Sequence, residues 1–243
     1  KTTTAINLCS ALSSFGRNVV VVDGNYTKPN VGVMLGITKV NTTLHHTLRG
    51  EEHITEAVYV HPSGLQVIPG SILYDDLHHE MTRKLQDVLM AIREKTELAI
   101  VDCGPGFSSE TSDVLDILDA ALLVTTPDLA SITDTLKTKQ FCKQHGVEVL
   151  GVIVSHNRSG EHIIPLSDIE SVLDLPVVGD VPFDESVPIS QHKKYPVVLS
   201  PADSPSAIAF KKVAANLIGE RYDPHADMNE SIFDYVLKKI GLK

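Results

Sequence analysis

Lys1-Thr2-Thr3-Thr4-Ala5-Ile6-Asn7-Leu8 opens the chain and reads as the end of a phosphate-binding loop running into its helix. A P-loop is Gly-x-x-x-x-Gly-Lys followed by Ser or Thr, and a strand precedes it. Here the chain opens on the Lys, so the strand and the loop glycines are expected to be missing. Ile6, Leu8, Leu12 and Phe15 give the helix an apolar face, and Gly16 ends it. Asn18-Val-Val-Val-Val-Asp23 follows as an unbroken β-branched run, the pattern of a parallel strand buried on both faces.

The same alternation continues along the chain. Short helices are expected at Val31–Leu35 and Thr43–Leu48, closing at Gly36 and Gly50, and a strand at Leu65–Pro69. A helix is expected over Leu77–Glu94, with Leu77, Met81, Leu85, Val88, Leu89 and Ile92 on one face. Leu98–Asp102 reads as the next buried strand, ending in Cys103-Gly-Pro-Gly106. Helices near Glu110–Leu118, Leu129–His145, Leu166–Leu173, Ser186–Lys193 and Ser204–Leu217 alternate with strands at Ala121–Thr125, Val149–Ser155 and Val177–Val181. Alternating strands and helices predict an α/β fold, a doubly wound and mostly parallel sheet with helices on both faces. Residues 1–219 are expected to form this body, 220–229 a polar linker, and 230–243 an amphipathic helix.

Composition narrows the function. The 243 residues suit one α/β domain, and 42% hydrophobic content suits a real core. A formal charge of −10 argues against a nucleic-acid-binding body. Cys9, Cys103 and Cys142 are scattered and form no C-x-x-C pair, which fits reduced cytosolic thiols. No secretory signal is visible, and no apolar run is long enough to span a bilayer. His45-His46 and His78-His79 lack a completing ligand pattern and are expected at the surface.

In doubly wound sheets, ligands sit beyond the carboxyl ends of the strands. Asp23, Asp102 and Asn157 fall there. Lys1 and Thr2 open the first helix, whose amino end favours a phosphate. Lys1 would offset charge on the β/γ oxygens, and the Thr2 hydroxyl would bind Mg²⁺. Asp102 is placed as a Walker-B acid, and Gly104-Pro-Gly106 would let backbone approach a γ-phosphate. A Lys-Thr-Thr-Thr start also suits an ordinary helix, and Asp23-Gly24-Asn25 also suits a plain turn. Order and spacing together point to a nucleotide site.

These pieces, with Thr125-Thr-Pro-Asp-Leu-Ala-Ser-Ile-Thr-Asp134, Val152-Ile-Val-Ser-His-Asn157, Leu175-Pro-Val-Val-Gly-Asp-Val-Pro182 and Ser204-Pro-Ser-Ala-Ile-Ala-Phe210, resemble the MinD/ParA family of deviant Walker A ATPases, closest to its MinD-like branch. The resemblance runs from Lys1 to about Gly219. It implies ATP and Mg²⁺ as cofactors, with Thr2, Asp23 and Asp102 around the metal and Lys1, Thr2 and Thr3 on the phosphates. It implies a homodimer formed on ATP, Asn157 reading the adenine edge, Pro182 near the base, and Asp102 and Gly106 in the γ-phosphate switch. It also implies a regulatory or cargo protein, with the helix carrying Asp134 near that surface.

Two departures stand out. The family's signature lysine and the phosphate-cradling glycines lie before Lys1, so the fragment alone is expected to bind nucleotide poorly. The family's second acid, which orients the attacking water, is here Asn25; an amide cannot serve as a carboxylate base, and slow hydrolysis is expected.

In the tail, Ile232, Phe233, Val236, Leu237 and Ile240 share one stripe, with Lys238 opposite and Lys239 flanking. That pattern suits an interfacial helix, a helix docked on the body, or a partner-binding helix. The resemblance favours an anionic membrane surface and a cytoplasmic protein held at the inner face of the cell membrane. Readings carried forward are the switch ATPase, a non-hydrolysing adaptor of the same fold, and a metallocluster carrier of the Mrp type. The last uses a C-x-x-C pair that this chain lacks.

Overall fold

A computed structural model describes residues 1–78, 84–158, 163–200 and 204–224. In chain order, α1 (Thr2–Ser14) leads to β1 (Val19–Asp23), α2 (Val31–Met34) and α3 (Leu44–Leu48). A 3-10 turn at Ile54–Ala57, β2 (Tyr59–Val60), β3 (Gln66–Ile68), α4 (Tyr74–His78) and α5 (Leu85–Arg93) follow. Next come β4 (Leu98–Asp102), α6 (Ser109–Leu115), β5 (Ala120–Thr125) and α7 (Leu129–Gln144). The body closes with β6 (Glu148–Asn157), α8 (Leu166–Leu173), β7 (Val177–Pro182), α9 (Ser186–His192), a turn at Val197–Leu199 and α10 (Pro205–Leu217).

The strands pair as a four-stranded sheet in the order β2-β3-β1-β4 and a three-stranded sheet in the order β5-β6-β7. All pairs are parallel except β2 with β3. The expected α/β architecture is present, with its hydrogen-bonded ladder divided into two sheets.

Alternation along β1 explains the layers. Val19 and Val21 point into a core with Ile6, Leu8 and Leu12 of α1 and Phe210 and Val213 of α10, and Ile153 and Val181 of the other sheet join the same core. Val20 and Val22 point the opposite way, against Leu44 and Leu48 of α3, Leu85, Val88 and Ile92 of α5, and Val114. A third core sets Leu123, Val152 and Val154 against Ile132 and Cys142 of α7 and Ile169 and Leu173 of α8. Each such side chain removed from water contributes roughly 1.5–3 kcal/mol. Helices α1 and α10 therefore bind the two sheets together.

Several expectations need correction. The helix read over Leu77–Glu94 is divided: Leu77 belongs to α4, and α5 starts at Leu85 after an extended Lys84. Extended backbone there breaks the helical phase that the apolar spacing suggested. The strand Leu98–Asp102 is not buried throughout, for Leu98 is 41% exposed. It pairs with β1 alone among the described residues. His45 is buried rather than at the surface. Its Nε2 donates to the Tyr26 carbonyl at 2.7 Å and its Nδ1 accepts from the Ser71 N–H at 2.9 Å, which fixes a neutral tautomer. Burial accordingly lowers its pKa. Strand β2 went unread because two residues carry no period.

Of the expected linker, only residues 220–224 are described, and Tyr222 packs edge-on against Phe15 at 6.0 Å. The segment holding Ile232, Phe233, Val236, Leu237, Lys238, Lys239 and Ile240 lies outside the described residues. Among the described residues no helix is long and apolar enough to cross a membrane.

Candidate nucleotide site

Asp23 and Asp102 end neighbouring parallel strands and sit opposite one another in register. Both are buried. Asp23 Oδ2 accepts from the Val31 N–H at 2.9 Å, which ties the strand end to α2. Its Oδ1 is buried without a well-formed hydrogen bond. Burial, with the nearby Asp102, pushes the Asp23 carboxyl up to about 7 against the opposing Val31, Asn30 and Asn25 N–H groups. Burial also raises Asp102, opposed by the Thr2 hydroxyl and by positive charge at Lys1. Thr2, Lys1 and Asp102 therefore share one corner, with Asp23 beside them.

Helix α1 begins at Thr2 with no side-chain cap and no acid in its first turn, leaving its amino end open to an anion. The Thr3 hydroxyl accepts from Gln191 Nε2 at 3.0 Å, which leaves its own proton and the Thr3 backbone N–H to donate to a phosphate.

The two loops beyond β1 and β4 press together. A Cβ on Gly24 would stand 2.6 Å from Val101 Cγ1. A Cβ on Gly104 would stand 3.1 Å from Asn25 Oδ1. Asn25 is thus packed beside the Gly104–Gly106 loop. Gly106 has φ +87°, a backbone state that L side chains rarely adopt, which lets this exposed loop turn.

Residues not foreseen from sequence hold this pair of loops. Buried Glu110, on α6, accepts from the Thr27 N–H and the Thr27 hydroxyl, each at 2.8 Å. Tyr26 donates its hydroxyl proton to Asp113 at 3.0 Å. In sequence, Glu110 and Asp113 look like ordinary first-turn and surface acids of a helix, so no local signal marks them.

Asn157 and Pro182 also meet. They are paired in register across β6 and β7, after a shift between Ser155 and Asn157 that leaves His156 looped out at φ 57°. A bulge of this kind re-aims the next side chain, and a non-glycine residue in the left-handed region costs about 1–3 kcal/mol. Asn157, Arg158, Asp180 and Pro182 line an open depression of about 370 Å³.

A divalent cation fits this corner. Asp102 is a buried acid beside a threonine hydroxyl, and Asp23 Oδ1 is a buried acceptor awaiting a donor. Few protein oxygens suit Mg²⁺, which keeps several waters.

Parallel strands wrapped by helices, with two acids and the amino end of α1 at their carboxyl edge, define a P-loop NTPase, and the chain belongs to the ParA family. Residues 1–218 match that family, described as NUBPL iron-transfer P-loop NTPase. An uncharacterized ATP-binding protein of Methanocaldococcus jannaschii is 33% identical over 233 residues, covering 96% of this chain and 88% of that protein. The cell division ATPase MinD of Pyrococcus furiosus is 29% identical, with a TM-score of 0.85 over 90% of this chain and 92% of its own. The septum site-determining protein MinD of Pyrococcus horikoshii, solved with Mg-ADP, is 29% identical, with a TM-score of 0.84 over 95% and 93%. The relatives thus support the MinD/ParA assignment.

Proposed function

We propose that this protein is a MinD-like ATPase, a switch that dimerises on ATP and places itself or a partner protein at the membrane, hydrolysing ATP slowly. What supports the reading is that Asp102 meets Thr2 at the start of α1, with Asp23 in register beside Asp102 and Asn25 against Gly104. Lys1 and the α1 amino end would hold the phosphates, with Thr2, Asp23 and Asp102 around Mg²⁺. The cation, when bound, would neutralise charge developing on the phosphoryl oxygens. Asn157 and Pro182 would hold the base.

The chain's own residues explain a slow turnover. Asn25 has a carbonyl oxygen and an amino group, so it can orient a water but cannot take its proton at neutral pH. In phosphoryl transfer, orientation and charge stabilisation supply most of the rate, so slow turnover is the consequence rather than none. In the full-length protein, Asn25→Asp is expected to raise ATP turnover by about tenfold or more, measured as phosphate release at saturating ATP. Equal rates would remove Asn25 as the brake.

The same asparagine favours a second reading, an adaptor in which nucleotide locks a dimer without being hydrolysed. Complete absence of turnover in the full-length wild type, with ATP-dependent dimerisation intact, would select it. An iron-carrier role draws less support. Cys9 and Cys142 are buried, and burial pushes Cys103 up to about 12, far from the thiolate that metals require. Among the described residues no His, Cys, Asp and Glu side chains gather as a metal cluster.

A further inference from the structure

The base end of the site contains a side-chain pair with a consequence for which nucleotide it takes. Asn157 Nδ2 donates to Asp180 Oδ1 at 2.8 Å. Chemistry fixes which end of the amide faces the carboxylate. An ionised carboxylate offers only acceptors, so the amide must turn its NH₂ toward Asp180. The planar amide then directs Oδ1 away from Asp180, and no described residue donates to that oxygen. The bulge at His156 and the Phe183 N–H, which donates to the Asn157 carbonyl at 2.8 Å, hold the backbone in place.

Resting on the nucleotide reading above, we propose that Asp180 is a positioning residue: it fixes the Asn157 amide with its oxygen toward the base, so that the site selects adenine over bases with a carbonyl at the six position. Asn157 and Asp180 both line the depression beside Pro182. Adenine presents an amino group at its six position and satisfies a waiting acceptor. Guanine and hypoxanthine present an oxygen there, setting two acceptors face to face with no proton between them. Asn157 is half-buried and Asp180 exposed, so the bound base itself would cover the amide, and a polar group covered without a partner disfavours the wrong ligand. Without Asp180 the amide can turn over and offer its NH₂ to that oxygen. Arg158, the other strong donor at the rim, stacks its guanidinium 4.0 Å from the centre of the Phe183 ring. A carboxylate can itself accept from the guanine N1–H, and the test separates that outcome.

The experiment is equilibrium binding of ATP, GTP and ITP to the full-length protein, as wild type, Asp180→Asn and Asp180→Ala. ITP shares the adenine outline but carries oxygen at the six position and lacks the guanine amine, so it isolates that one atom. The wild type is expected to favour ATP over both by about tenfold or more. Both variants are expected to bring the ratios down toward unity, with ATP weakened only a few-fold. An unchanged ratio in the variants, a wild type that does not discriminate, or a preference for GTP that vanishes in Asp180→Ala would each overturn the role. Loss of all nucleotide binding in both variants would also count against it, because the role is selection rather than affinity. A wild type that binds no nucleotide triphosphate would instead refute the nucleotide reading, and the inference with it.

Discussion

Asp23 shows how one side chain couples the site to stability. Its carboxyl is buried, keeps one unpartnered oxygen, and is pushed up to about 7 from an ordinary value near 3.8. The folded protein therefore holds this proton at pH values where the unfolded chain has released it. The stabilisation is full below the unfolded value, and it is lost as pH rises toward the folded one. The slope is about 1.4 kcal/mol per pH unit while the two states differ by one proton. Asp23→Asn keeps an acceptor for the Val31 N–H and removes the titration. In nucleotide-free protein, its urea midpoint relative to wild type is expected to rise between pH 4.5 and 7. A constant difference would place the proton elsewhere. Asp184 acts in the opposite sense. Despite some burial it is held well below the usual carboxylate range, accepting from the Ser204 and Ser206 hydroxyls and the Ser206 and Ser186 N–H groups.

At the scale of elements, α6 is the link between the two loops of the site. It follows the Gly104–Gly106 turn, and its Glu110 grips Thr27, two residues beyond Asn25. Ser108 caps the same helix, accepting from the Thr111 N–H at 3.3 Å. Glu110 thus ties the loop carrying Asn25 to the helix that follows the glycine turn. Glu110→Ala leaves the Thr27 N–H without its acceptor and is expected to cost about 1–3 kcal/mol, read from the denaturant midpoint. Amide exchange over residues 24–30 should quicken at the same time. Unchanged exchange there, with stability lost, would mean that Glu110 supports α6 alone.

At the scale of the molecule, α1 serves two purposes. One face fastens the two sheets together with α10, and its amino end forms the phosphate corner. Occupying that corner thus bears on the body that joins the sheets. The tail belongs to this scale too, because its proposed role depends on doubling. A short interfacial helix binds marginally alone, and two in one dimer gain avidity without new contacts. In the full-length protein, deleting Ser231–Lys243 is expected to abolish ATP-dependent sedimentation with anionic vesicles. Undiminished sedimentation would remove the membrane assignment.

The amino-acid order alone determined most of the succession of elements, β2 and the break before α5 excepted, and the helix and strand ends at which Lys1, Thr2, Asp23 and Asp102 stand. Lys1-Thr2 opening a helix and apolar runs ending at Asp23 and Asp102 are local patterns, because a strand's burial and a helix's amino end are written in consecutive residues. Asn157 was legible the same way, at the end of an apolar run. Only the tertiary structure decided the partners: Glu110 on Thr27, Asp180 on Asn157, and His45 between Tyr26 and Ser71. Those contacts join residues on different elements, and their energies depend on burial and direction. A polar side chain has the same local pattern whether it meets water or a carboxylate across the sheet.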